Sequence, residues 1–117
     1  MLILVAEDDE LILKTVEFKL KKEGHEVMLT RNGKDAIDAV KVLDFDLVIT
    51  DIMMPFASGI EILSALRSIG KDTPVIVLSS LGQEEVVTEA FDMGAADFMV
   101  KPFSPNELML RIKRLVR

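Results

Sequence analysis

The chain has 117 residues, a formal net charge of -6 and no cysteine. That length suits a single domain able to bury roughly two-thirds of its unfolded surface, so residues 1–117 are expected to form one unit. The acidic balance argues against sequence-independent nucleic-acid binding, which needs a basic surface. Without cysteine, disulfides and thiolate metal sites are excluded, which suits a cytoplasmic protein. The longest uncharged apolar runs have the length of a buried strand, far below the ~20 residues that span a bilayer, so no membrane contact is expected. "MLILVA" is too short for a signal-peptide core and has acids behind it.

The first apolar run, "LILVA" (2–6), leads straight into Glu7, Asp8, Asp9 and Glu10. Like charges so close repel unless solvent, a cation or a helix N-terminus takes up the charge. Asp9 is placed to cap a first helix, and Gly24 to end it. On its own, "EDDE" fits the decorated start of a helix better than a metal site. His25, the lone histidine, lies far in sequence from these acids and is read as a surface residue. A second run, "EVMLT" (26–30), follows it, and a third, "LVIT" (47–50), ends at Asp51. Ser58 and Glu61 then have capping-box spacing, and Gly70 closes that helix. The fourth run, "VIVL" (75–78), ends at Ser79, with Ser80 and Gln83 as a second capping box and Gly94 as a stop. The fifth, "FMV" (98–100), ends at Lys101, before a third box of Ser104 and Glu107 with Pro105 as first helical residue. Leu108, Ile112 and Leu115 form the apolar stripe of a last amphipathic helix.

Strict alternation of strands and helices, with runs apolar throughout, predicts an α/β fold: a doubly wound five-stranded parallel sheet with helices on both faces. Ligands of such sheets sit outside the carboxyl ends of the strands, where strand order reverses. The residues just past the strands, Glu7, Asp8, Asp51, Ser79 and Lys101, are therefore expected to converge on one edge. Carboxylates with no His or Cys nearby make a hard, oxygen-only site suited to Mg²⁺ with waters retained.

The ordered pieces "ILVAEDDE", "DLVITDIMMP" with Gly59 eight residues after Asp51, "PVIVLSS", "MGAADF" and "VKPF" resemble the receiver domain of two-component response regulators, over essentially the whole chain. The resemblance implies the flavodoxin-like (βα)5 receiver fold and a phosphorylation-activated switch. It makes Asp51 the phosphoacceptor, and Glu7, Asp8 and Asp51, joined by the backbone carbonyl of Met53, the Mg²⁺ ligands. It makes Lys101 the phosphate-contacting lysine, with a cis peptide before Pro102, and Ser79 and Phe98 the hydroxyl and aromatic residues of the switch. The partner it implies is a sensor histidine kinase. Such a domain catalyses its own phosphorylation and dephosphorylation without being a conventional enzyme. Apolar Met53 and Leu81 stand where the family tunes hydrolysis of the acyl phosphate, which implies a long-lived phosphoprotein.

The tail "VKPFSPNELMLRIKRLVR" looks like the receiver end of regulators that carry a winged-helix DNA-binding domain. That likeness implies DNA contact only through a separate output domain, transcriptional output, and a homodimer on phosphorylation. The dimer would use the fourth helix, fifth strand and fifth helix, where Asp97, Glu107 and Arg111 are present but Val87 and Ala96 replace charges. Val87 and Phe91, four apart on one helix, are expected to form an apolar patch there. Two rival readings are an aspartyl-phosphate phosphatase, which needs a second Asp where Met53 stands, and a flavin-binding module, whose phosphate "AEDDE" would repel.

Overall fold

The computed structural model describes residues 1–80 and 82–115, so Leu81 lies outside the described residues. Strands β1 (Leu2–Ala6), β2 (Glu26–Thr30), β3 (Leu47–Asp51), β4 (Val75–Ser79) and β5 (Asp97–Val100) alternate with helices α1 (Glu10–Lys22), α2 (Gly33–Val42), α3 (Gly59–Ser68), α4 (Glu84–Asp92) and α5 (Pro105–Leu115). The sheet is parallel throughout, in the order β2-β1-β3-β4-β5. Strand order reverses between β1 and β3, which places the expected ligand crevice beside those two strands. Among the described residues, no helix is long and apolar enough to cross a membrane.

Successive strand residues point to opposite faces, and both faces are covered. Ile3, Val5, Ile49, Ile76 and Leu78 pack on Leu13, Val16 and Leu20 of α1 and on Leu108 and Ile112 of α5. Leu4, Ala6, Val48, Val75 and Val77 pack on the other side against α2, α3 and α4, through residues such as Val40, Ile62, Leu66 and Ala90. Two buried faces are why the central runs are apolar throughout. The edge strand β2 departs from that expectation: Glu26 and Met28 are exposed, because among the described residues no strand pairs beyond it.

Helix starts follow the sequence signals with one exception. Asp9 accepts from the N–H groups of Leu11 and Ile12, and Ser58 and Ser104 accept from those of Glu61 and Glu107. Ser80 does not cap α4. Gln83 occupies the cap position with no side-chain bond into the helix, and its Oε1 instead accepts from the Ser80 N–H at 2.6 Å. Gly24, Gly70 and Gly94 close α1, α3 and α4 with φ between 77° and 96°. At the far edge of the sheet, the Arg67 guanidinium donates to the carbonyls of Lys71, Thr73 and Gly94 at 2.8, 3.1 and 3.0 Å.

The segment after β3 is held tightly. Gly59 donates to the Ile52 carbonyl at 3.0 Å, and a Cβ on it would lie 2.7 Å from the Asp51 carbonyl oxygen. Gly33, opening α2, donates to the Pro55 carbonyl at 3.2 Å, and a Cβ there would fall on the Ala57 carbonyl. The Ala57 N–H closes onto the Pro55 carbonyl at 2.9 Å. That i to i+2 bond leaves Phe56 at φ 71°, a strained turn for a bulky residue. Gly33→Ala should therefore destabilise the fold by about 1–3 kcal/mol, the usual cost of overpacking, although alanine is intrinsically the better helix former. The urea midpoint checks this; an unchanged midpoint would show that the segment yields freely.

Candidate functional site

The carboxyl edge of the sheet collects the acids and the lysine. Glu7 continues β1, where its N–H donates to the Thr30 carbonyl at 3.1 Å, and its residue has no solvent exposure. Asp8, next in the chain, is exposed. Asp51 is the last residue of β3 and is only 7% exposed. Lys101 follows β5, with its N–H on the Ser79 carbonyl at 2.7 Å and a cis peptide to Pro102. Its Nζ donates to Asp51 Oδ2 at 2.7 Å and to Glu7 Oε1 and Oε2 at 2.9 and 3.1 Å.

One oxygen each of Glu7, Asp8 and Asp51 lies within 4.8 Å of the others. The set is oxygen-only and one member faces solvent, which fits a small hard cation that keeps part of its water. Burial pushes the Glu7 carboxyl up to about 7, and the neighbouring Asp51 adds to the rise against the opposing pull of Lys101. Burial alone would lower the Lys101 ammonium, but its hydrogen bonds to Asp51 and Glu7 outweigh that and raise it. A fixed cation shared by two carboxylates, one of them reluctant to ionise, is an arrangement prepared for more positive charge.

The other sequence-chosen residues are placed less uniformly. Ser79 ends β4 and is 1% exposed, on the strand beside Asp51. Phe98 is half-buried and meets Phe91 edge to face, with ring centroids 5.7 Å apart. Met53 is 53% exposed, and its N–H reaches Asp51 Oδ1 at 3.4 Å. Val87 adds little exposed surface beside Phe91: it is buried against the sheet, while Phe91 is 41% exposed, and the two meet only as lining of one groove. The four-residue spacing put them on one side of α4, and Val87 sits on the inner margin of that side. Arg111 is engaged within the chain, with Asp97 at 2.7 Å, Glu107 at 2.9 Å and the Phe98 carbonyl at 3.1 Å. Sequence reasoning passed over Gly33 and Phe56; only the density of glycine and proline around them hinted at a constrained path.

A family model for the response regulator receiver domain matches residues 3–113. The cell cycle transcriptional regulator CtrA of Caulobacter vibrioides is 38% identical over all of this chain and 51% of its own length. Response regulator RR06 of Streptococcus pneumoniae is 40% identical over all of this chain and 54% of its own. The chain thus spans about half the length of the curated relatives it matches. The receiver domain of the Francisella response regulator 1452 superposes with a TM-score of 0.90 at 35% identity, covering 98% of this chain and 95% of that one. With the match running from β1 into α5, the chain belongs to the receiver domains of two-component response regulators.

Proposed function

We propose that residues 1–117 act as one phosphorylation-activated switch, in which Asp51 takes a phosphoryl group from the phosphohistidine of a sensor histidine kinase, with Mg²⁺ as cofactor. The reading is carried by the Lys101 ammonium shared between Asp51 and Glu7, because that cation already stands where phosphoryl oxygens would arrive. Glu7, Asp8 and Asp51, with the Met53 carbonyl, would hold the Mg²⁺. Bound there, it cancels the repulsion between carboxylate and phosphoryl group and orients the oxygens.

The chain's own residues do the rest. An Asp51 oxygen forms the new P–O bond while the P–N bond of the donor breaks, and the bonding electron pair leaves with the imidazole. Lys101 moves from carboxylate to phosphoryl oxygen as a compact point charge. The Ser79 hydroxyl donates to another phosphoryl oxygen, and Phe98 follows it inward. Because Phe98 touches Phe91, that movement reaches the face made by α4, β5 and α5. A phosphorylation-dependent homodimer through this face would rely on Phe91 more than on the half-buried pair Asp97–Arg111, which is already closed within one chain. The name of the CtrA relative supports a transcriptional output, exerted through a separate DNA-binding domain in the cytoplasm. Neither rival reading gains support: Met53 cannot serve as a phosphatase's second acid, and the acids at the sheet edge would repel a flavin phosphate.

Incubation with acetyl phosphate and Mg²⁺, followed by intact-protein mass spectrometry, tests the proposal. The wild type should gain one phosphoryl mass, and chelator or Asp51→Asn should abolish the gain. The same gain in Asp51→Asn would overturn the assignment.

A further inference from the structure

Two helices on opposite sides of the sheet carry opposite chemistry. On α1, which packs with α5, the outward side presents Leu11 and Phe18, 78% and 66% exposed, among exposed Lys14, Lys21 and Lys22. Glu17 answers only part of that charge, at 3.5 Å from Lys14 and 3.0 Å from Lys21. On α4, which packs across the sheet with α2 and α3, Glu84, Glu85, Glu89 and Asp92 are all exposed and the helix has no basic residue. A groove of about 270 Å³ lies along the same helix, floored by Val87, Phe91, Phe98 and Val100, with Glu84 on its wall.

A single exposed aromatic is ordinary. An exposed aromatic ringed by lysines, in a chain that elsewhere carries an apolar groove along a helix whose charged residues are all acidic, is a complementary pair. We propose that unphosphorylated copies of this chain associate head to tail, with Phe18 and the lysines of α1 in one copy seated in the acidic α4 groove of the next. The two surfaces face away from each other in the monomer, so neither can satisfy the other within one chain. The contact is heterologous and does not close at two copies. One helix against one groove is small beside the ~1,600 Å² of an ordinary stable interface, so the association is weak. Opposite charges at the surface make it sensitive to salt.

Sedimentation velocity on the unphosphorylated protein at low ionic strength tests this. Average mass should climb with concentration toward ~1 mM and pass that of a dimer, and association should weaken by about tenfold or more at 0.5 M salt. Lys21→Glu with Lys22→Glu, and separately Glu85→Lys with Glu89→Lys, should each be monomeric, while an equimolar mixture of the two variants should associate again. All four positions are exposed, and unchanged melting curves verify folding. A monomer throughout, a plateau at two copies, variants that associate like the wild type, or a mixture that stays monomeric would each overturn the proposal. No phosphoryl transfer enters the measurement, so its outcome is separate from that of the Asp51 experiment.

Discussion

Replacing Lys101 with methionine is expected to destabilise the metal-free protein by about 3–5 kcal/mol, the range for removing one partner of a buried ion pair. The Lys101 side chain is 16% exposed and its partners Glu7 and Asp51 0% and 10%, so water replaces the lost ammonium poorly. Two carboxylates would then face each other with no cation between them. The urea midpoint in chelator reads the loss, and adding Mg²⁺ should recover more stability in the variant than in the wild type. Phosphoryl acceptance should fall as well, and Lys101→Arg should restore it only in part, because a planar fork cannot follow a moving phosphoryl oxygen as an ammonium does. A Met variant as stable as wild type in chelator would show that the two acids are already relieved by other means.

The second large effect concerns Glu7. Its carboxyl is raised from 4.5 to about 7, first by burial and then by Asp51, so between those values the folded chain holds a proton that the unfolded chain has released. Stability therefore contains a contribution that is complete below pH 4.5 and is lost as pH rises through about 7. Each tenfold in proton affinity corresponds to about 1.4 kcal/mol, which places the loss at roughly 3–4 kcal/mol. Glu7→Gln retains an acceptor for Lys101 without the charge. In chelator it should be the more stable protein at pH 8, with a flatter profile between pH 4.5 and 7. With Mg²⁺ present the order should reverse, because the neutral amide is the poorer ligand. Parallel pH profiles for the two proteins would remove the buried carboxylate as the cause.

Much of this architecture is written locally. "LILVA" and "EVMLT" match β1 and β2 to the residue, and Asp9, Ser58 and Ser104 cap where their spacing says. β3 and β4 each run one residue further, to Asp51 and Ser79, since hydropathy stops at a polar side chain while the backbone ladder does not. At Ser80 only half of the capping box forms: the Gln83 side chain reaches back to the Ser80 N–H, but the helix itself begins three residues later, with Gln83 as its cap, and spacing alone does not show where the helix starts. The bond from Lys101 to Glu7 joins residues 94 apart; no local pattern encodes it, and only the strand order brings the two together. Val87 shows the limit of helical periodicity, which says which residues share a side but not how far round that side the sheet reaches.

Arg67 gives α4 two unequal ends. Its guanidinium fastens the Gly94 carbonyl, just past the last turn of α4, to α3 and to the segment before β4. The first turn, beside Ser79 and Ser80, begins at Gln83 with no side-chain bond into the helix. The Gln83 and Glu84 side chains reach back to the N–H groups of Ser80 and Gly82, local bonds that can travel with the helix start, which makes Arg67 the fulcrum about which α4 can turn. Under the switch proposed above, a displacement at Ser79 is expected to move the exposed acids of the first turn further than Asp92, so a probe on Glu85 should report the stroke and one on Asp92 the pivot.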